Sequence, residues 1–169
     1  IEAARIVVDK LINYALNAET LGNWRNEIVY VADDGDNNLH QKDADKLATL
    51  VDTSYMQFNV NKIYIDAFEQ VQTSIGETSP GAKEEFERSI DKGGLIVNFT
   101  GHGSPTRWTS ETILNISSIL ELENYNKLPL FVTATCEFGR HENPKAISGA
   151  EYLLNNPDGG AIGLVTTSR

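Results

Sequence analysis

Cys136, His102 and the paired acids Asp33 and Asp34 are the residues of this sequence whose types fit nucleophilic catalysis. A thiolate attacks carbonyl carbon, an imidazole takes up the thiol proton, and a carboxylate orients the imidazole. Each of these residues comes shortly after a short apolar run of the kind that forms a buried strand. The pattern predicts acyl-transfer chemistry if the fold brings the ends of these runs together.

The elements that must position these residues alternate between strands and helices. Continuously apolar runs predict strands over 28–32, 62–65, 95–99, 130–134 and 161–165. Apolar spacing and capping residues predict helices over about 4–18, 44–55, 80–92, 117–124 and 143–154, and a Thr/Ser/Gly-rich loop over 73–79. Strands that are apolar throughout imply a parallel sheet covered on both faces. We therefore expect an α/β fold with three layers, an open and mainly parallel sheet, and right-handed crossovers.

The order of the strands decides whether the candidate residues meet. In the order 2-1-3-4-5, the first, third and fourth strands are neighbours. Their carboxyl ends would then carry the Asp33-Asp34 pair, His102 and Cys136. Ligands bind in the crevice outside the strand carboxyl ends, at the point where the strand order reverses. The sequence thus predicts one site assembled from three separate segments.

Each candidate also has an ordinary structural alternative. A lone cysteine is commonly a small buried hydrophobe, a lone histidine commonly makes structural hydrogen bonds, and acids in a turn are commonly solvated. His40 and His141 are alternative bases, and His141 lies only five residues beyond Cys136. A residue five positions along a loop has no fixed geometry, so His102 is the stronger candidate. Convergence at one sheet edge favours the catalytic interpretation.

Length and composition restrict the class of protein. The 169 residues suit a single domain, and 40% hydrophobic with 22% charged residues is a globular composition. The formal charge of −10 disfavours binding to nucleic acid or to anionic membranes. The single cysteine excludes an internal disulfide framework and a multi-cysteine metal site. Because the chain opens on Ile1 without Met, we expect residues 1–169 to be one domain or subdomain of a longer protein.

Other motifs are incomplete. Gly101-x-Gly103 begins a dinucleotide fingerprint, but Thr106 stands where the third glycine belongs. A phospho-acceptor receiver domain would need an aspartate after the third strand and a lysine after the fifth, and the sequence has neither. The acids and amide at positions 34, 36 and 38 match the first half of a calcium loop, but Leu39 replaces the required glycine. We expect no cofactor beyond a weak structural calcium contact.

Four segments carry a family resemblance. They are Asn98-Phe99-Thr100-Gly101-His102-Gly103-Ser104-x-Thr106-x-Trp108, residues 129–136, residues 160–163 and, more loosely, residues 30–36. Together they resemble the gingipain-type cysteine peptidases, and most narrowly the signal peptidases of the type IX secretion system. The firmest part covers about 94–168. The Gly-His-Gly motif and the cysteine at the end of the next strand are more specific together than either is alone.

The resemblance implies a caspase-like fold with Cys136 as nucleophile, His102 as its partner and a third, acidic member at Asp34. Gingipains carry glutamate at that last position. The resemblance also implies a protein substrate, namely secreted cargo whose C-terminal sorting domain is removed at the outer membrane. The chain would then face the outside of the cell, at its surface, with no membrane span in this segment.

Acyl transfer also needs donors for the developing oxyanion, and the N–H groups of Gly103 and Cys136 are the candidates. The same acyl-enzyme gives hydrolysis when water attacks and transpeptidation when an amine attacks. A non-catalytic binding module or an inactive catalytic fragment is the alternative function. Asp36 is the only acid in the segment 36–40, so we expect no strict selection of basic residues, with Trp108 as either a cleft wall or a core residue.

Overall fold

A five-stranded parallel sheet forms the centre of the computed structural model, which describes residues 1–74 and 76–169. The strands are β1 (Glu27–Ala32), β2 (Asn59–Tyr64), β3 (Val71–Thr73), β4 (Gly76–Thr78), β5 (Ile96–Thr100), β6 (Gly103–Ser104), β7 (Arg107–Trp108), β8 (Leu114–Asn115), β9 (Leu130–Ala134) and β10 (Gly163–Thr166). The helices are α1 (Glu2–Leu16), α2 (Gly35–Ser54), α3 (Pro80–Lys92), α4 (Ile116–Leu120) and α5 (Gly149–Asn155). The central sheet has the order β10-β9-β5-β1-β2. This is the predicted 2-1-3-4-5 arrangement of the five main strands, and the predicted α/β class is confirmed.

Two hydrophobic clusters cover the two faces of the sheet and give three layers. Side chains of a strand alternate between its faces. Accordingly, Val29 and Val31 of β1 belong to the larger cluster, whereas Ile28 and Tyr30 belong to the smaller one. Residues of α3, α4 and α5 complete the larger cluster, and Ala48 of α2 packs in the smaller one. α2 therefore lies on the face opposite the other three helices.

Trp108 packs in the larger cluster. Its ring is fully buried and stacks on Phe99, with ring centroids 4.3 Å apart and ring planes inclined by 6°. The rings of Phe131 and Phe138 approach it at 5.7 and 5.5 Å. Of the two roles expected for Trp108, the structure shows core packing.

Several element boundaries differ from those expected. The last helix begins at Gly149, not at Asn143, because Ser148 caps it in a reciprocal capping box with Glu151. α2 follows β1 directly, but positions 36–38 are left-handed, so its regular right-handed part begins at Leu39, five residues before Ala44. The segment 73–79, expected as a loop, includes β4 and the end of β3, which pair antiparallel. Position 75 of that segment lies outside the described residues. The short antiparallel sheet β6-β7-β8 follows β5 and was not expected.

Lys10 of α1 forms hydrogen bonds with the C-terminal end of α5. Its ammonium group is buried and donates to the backbone carbonyls of Leu153 and Leu154, at 3.3 and 3.0 Å. The last carbonyls of a helix have no partner within the helix, so these bonds satisfy two of them. Burial lowers the pKa of Lys10 to about 8.

Candidate active site

The strand ends that carry the predicted residues are neighbours. β5 pairs with β1 on one side and with β9 on the other, so Thr100 lies between Ala32 and Ala134. Two residues beyond these three positions stand Asp34, His102 and Cys136. The loops after all three strands therefore begin at the same level of the same sheet edge.

Two glycines let these loops approach one another. A Cβ atom at Gly101 would overlap the side chain of Asp33, and one at Gly103 would overlap the hydroxyl of Thr135. The Gly101 N–H also donates to the Ala134 carbonyl at 3.2 Å, which continues the β5–β9 ladder beyond its last pair. The Gly-His-Gly sequence is thus needed for contact between the histidine loop and its neighbours on both sides.

Cys136 is a free and exposed thiol. The residue before it, Thr135, is buried, and its carbonyl accepts a hydrogen bond from the hydroxyl of Thr167 in the segment after β10. The residue after it, Glu137, adopts a left-handed backbone with φ of 57°. The chain is thus anchored before the cysteine and turns sharply after it, which leaves the sulfur open to solvent.

His102 is held at its backbone and at its ring. Its N–H donates to Asp33 Oδ2 at 2.8 Å, so the buried Asp33 holds the backbone of this loop. Its ring Nε2 lies 3.1 Å from Asp36 Oδ2. Neither ring nitrogen makes a hydrogen bond within residues 1–74 and 76–169, so the contact with Asp36 is one of charge and distance. A carboxylate at Nε2 favours the tautomer whose proton is on Nε2, and Nδ1 is then the basic nitrogen.

The structure does not bring Asp34 to the imidazole. The Asp34 carboxylate accepts a hydrogen bond from the side chain of Gln70, and it makes no ion pair with His102 in the described residues. Asp36 takes that place because positions 36–38 adopt left-handed backbone angles, with φ of 55°, 55° and 61°. Asp and Asn adopt this region more readily than other non-glycine residues, because their short polar side chains form local hydrogen bonds. Three in succession are still uncommon, and such conformations cluster at functional sites.

His40, which the sequence suggested only as an alternative base, also lies at this site. Its Nε2 lies 3.3 Å from Asp36 Oδ2, the same oxygen that approaches His102. The two imidazole rings meet edge to face, with centroids 4.9 Å apart. Positions 36–38 are not helical, so regular helix spacing does not explain this contact. The available signal was only that His40 lies close to Asp36 in sequence. His141, the other alternative base, instead has its Nδ1 3.0 Å from the Gly139 carbonyl.

Two groups of side chains could share a cation. Asp33, His40 and His102 bring one ligand atom each within 4.8 Å of the others, and so do Asp33, Asp34 and Glu111. The first set, with two imidazoles, fits a transition metal, and the second, with oxygen ligands alone, fits calcium. The set expected for calcium at positions 34, 36 and 38 is neither of these, because the left-handed turn directs Asp36 to the histidines.

Glu111 is a buried carboxyl group beside the site. Glu111 is only 7% exposed, and its Oε2 has no hydrogen-bond partner among the described residues. Burial raises the pKa of Glu111, and the negative charges of Asp34 and Asp33 raise it further. The ionised form is therefore disfavoured in the folded chain.

We expect Glu111→Gln to stabilise the protein at pH 7 by about 1 kcal/mol, because the amide removes an unpaired buried charge. A raised folded-state pKa gives stability that is complete below the ordinary value of 4.5 and is lost as pH rises. The advantage of the variant should therefore disappear near pH 4. Urea unfolding at both pH values, with a chelator present, measures this difference. Glu121→Gln, at an exposed glutamate, is the control, and equal gains at pH 7 and pH 4 would contradict the burial argument.

Comparison with known proteins gives a consistent result. The family model described as peptidase family C25 matches residues 1–169. Gingipain R2 of Porphyromonas gingivalis is 24% identical over 147 residues, which cover 82% of this chain and 18% of that protein. Gingipain R1 of the same species is also 24% identical over 147 residues, covering 82% of this chain and 13% of its own length. The chain thus spans less than a fifth of these curated relatives.

Solved structures agree on the fold. The crystal structure of the Arg-specific cysteine proteinase gingipain R superposes with a TM-score of 0.74 and 20% identity, over 99% of this chain and 37% of the other. The complex of the pro- and mature domains of RgpB from Porphyromonas gingivalis gives a TM-score of 0.71 and 20% identity, over 99% and 38%. The expected caspase-like fold of the gingipains is confirmed. In the described residues, no helix has the length and apolar character needed to cross a bilayer.

Proposed function

Because the chain belongs to peptidase family C25, we propose that it supplies the nucleophile and the base of a gingipain-like cysteine endopeptidase. The observation that carries the proposal is the arrangement of three neighbouring strand ends. They hold an exposed thiol at Cys136, an imidazole at His102 and a carboxylate at Asp36, which lies 3.1 Å from the imidazole.

The proposed mechanism assigns one step to each group. Asp36 accepts the Nε2–H of His102, which leaves Nδ1 to take the proton of the Cys136 thiol. The thiolate adds to the scissile carbonyl, and the amine leaves with the proton from Nδ1. Water, activated by the same nitrogen, then hydrolyses the acyl-enzyme and restores the thiol. An amine in place of water gives transpeptidation.

The N–H groups of Gly103 and Cys136 are proposed to bind the oxyanion. The Thr109 N–H donates to the His102 carbonyl at 3.0 Å, which marks these two residues as a hydrogen-bonded antiparallel pair. The next pair, Gly103 with Trp108, is then a non-hydrogen-bonded pair. The Gly103 N–H is directed away from β7 and stays available. Losing one such donor costs about 3 kcal/mol of transition-state stabilisation.

The finer proposal is a signal peptidase of the type IX secretion system, similar to PorU. The segments 98–108, 129–136 and 160–163 support it, because they resemble the corresponding motifs of that branch. Its substrate would be secreted cargo with a C-terminal sorting domain, and its location would be the outer face of the cell, associated with the outer membrane. Removal of the sorting domain is the hydrolytic outcome, and attachment of cargo to a surface amine is the transfer outcome.

Covalent trapping tests the proposal. We expect a peptide carrying an electrophilic carbonyl group to label Cys136 of the intact protein stoichiometrically, at least tenfold faster than it labels a free thiol. The imidazole is the reason, because it supplies the thiolate in the presence of substrate. Mass spectrometry of the labelled peptide gives both the position and the rate.

His102→Ala is the matched variant, because it removes the base and leaves the thiol. Labelling that falls to the free-thiol rate in this variant supports the peptidase. Labelling of the unaltered protein at the free-thiol rate would instead favour the alternative function, a non-catalytic binding module. The exposed Cys136 sulfur, which makes no hydrogen bond with His102 in the described chain, is the observation behind that alternative.

Substrate selection is expected to show no strict preference for Arg or Lys. Selection of a cationic side chain needs an acid at the bottom of its pocket. Asp36 is the only acid in the segment 36–40, and its carboxylate already lies against the rings of His102 and His40. Matched peptide reporters that differ only before the scissile bond should be cleaved within about tenfold of one another.

The ratio of two reporters on the same variant does not depend on how active that variant is. A preference of a hundredfold for Arg, removed by Asp36→Asn, would overturn the prediction. It would also assign Asp36 to the substrate pocket and not to the orientation of the imidazole.

A further inference from the structure

Asp36 needs a support that its own backbone does not provide. Its side chain is 57% exposed, and it lies in a left-handed stretch that non-glycine residues rarely adopt. An exposed aspartate has several accessible rotamers, and only some of them would aim an oxygen at His102. The ion pair with His102 is therefore not maintained by local geometry.

His40 is in a position to supply that support. Its side chain is 19% exposed, compared with 57% for Asp36 and 56% for His102. It lies on α2, whose later turns pack on β1 and β2. Its Nε2 is 3.3 Å from Asp36 Oδ2, and its ring meets the His102 ring edge to face. It is the most enclosed member of the group and contacts both others.

The buried Nε2 of His40 has no polar partner other than Asp36 in the described chain. Within residues 1–74 and 76–169, His40 Nε2 is shielded from solvent and makes no hydrogen bond, and Asp36 is the only acid at ion-pair distance from it. Asp33 also brings a carboxylate oxygen within 4.8 Å of the two histidines, but one of its oxygens accepts the His102 backbone N–H. Asp36 is thus the group that His40 is placed to hold.

We infer that His40 is a positioning residue, which holds the Asp36 carboxylate against Nε2 of His102 and limits the rotation of the His102 ring. This inference rests on the proposed function. It predicts that loss of His40 slows the chemical step and leaves substrate binding unchanged, because His40 acts through Asp36 and not on the substrate.

Two substitutions of similar size separate the role of His40 as a donor to Asp36 from its role in packing. A glutamine amide places a donor where Nε2 of histidine stands, whereas leucine fills the space without a donor. In the intact protein we expect His40→Leu to lower kcat at least tenfold, with KM changed less than twofold. His40→Gln should retain kcat within about threefold of the unaltered protein. Lys46→Ala, which removes an exposed i,i+3 ion pair from the same helix, should change neither constant.

A crystal structure of His40→Leu gives a readout that does not need activity. We expect the Asp36 carboxylate to leave His102, with the Nε2–Oδ2 distance rising from 3.1 Å to beyond 4 Å. An unchanged distance together with unchanged kcat would overturn the inference, and so would equal losses in the Leu and Gln variants. If the unaltered protein shows no cleavage that depends on Cys136, the proposed function fails, and the Asp36 position in the Leu variant still decides the role of His40.

Discussion

Cys136→Ala and His102→Ala are each expected to reduce peptide cleavage by the intact protein about 10⁴-fold or more. The first removes the proposed nucleophile, and the second removes the group proposed to take its proton, so either change should prevent the acyl-enzyme from forming. Because the two groups act as a unit, the double variant should be no slower than the single ones. The measurement is kcat/KM on one peptide reporter, with the three variants purified in parallel.

His141→Ala provides the control for this prediction. His141 is the other histidine close to Cys136 in sequence, and its ring contacts the Gly139 carbonyl, not the catalytic group. The His141→Ala variant should cleave the reporter at the rate of the unaltered protein. If the His141 variant loses activity and the His102 variant keeps it, the base has been assigned to the wrong loop.

The sheet could be predicted from sequence because its signals are local and repeated. Apolar runs such as 28–32 and 130–134 are continuous, and strands of that kind are buried on both faces. Right-handed crossovers then leave few possible orders for five strands. Once the order is known, the neighbourhood of His102 and Cys136 follows from counting residues beyond Thr100 and Ala134.

The acid at the imidazole could not be predicted in the same way. Counting beyond β1 leads to Asp34, but the backbone turns left-handed at positions 36–38 and brings Asp36 back towards His102. Asp36, Asn37 and Asn38 tolerate that conformation, but Asp and Asn are equally typical of helix caps and ordinary turns. Their presence alone therefore did not specify a left-handed turn.

Other differences were readable but were outweighed by a competing signal. Asn143-Pro144 has the composition of a helix start, whereas Ser148-x-x-Glu151 has the reciprocal capping pattern and is the true start. Likewise, His40 lies four residues after Asp36, across the left-handed turn, and this closeness indicates an interaction only when Asp36 is known to matter. The spacing of Asp36 and His40 can therefore be interpreted only after Asp36 has been located at the site.

Asp36→Asn is expected to lower kcat/KM between about 10- and 100-fold, which corresponds to about 1.4–2.7 kcal/mol of transition-state stabilisation. Asparagine keeps the size of aspartate but loses the charge that favours the Nε2–H tautomer of His102. The effect should be smaller than that of the dyad variants, because a thiol nucleophile without an orienting carboxylate still ionises. The reporter assay used for the dyad measures it.

Asp34→Asn makes the same chemical change two residues earlier and should lower kcat/KM less than threefold. An asparagine there can still accept the hydrogen bond from Gln70, so the local structure should persist. The opposite result, with a large loss at Asp34 and none at Asp36, would return the orienting role to Asp34 and require the turn at 36–38 to rearrange during catalysis. A loss at Asp36 alone would mean that the strained turn is part of the catalytic apparatus, because its conformation is what places that carboxylate at Nε2.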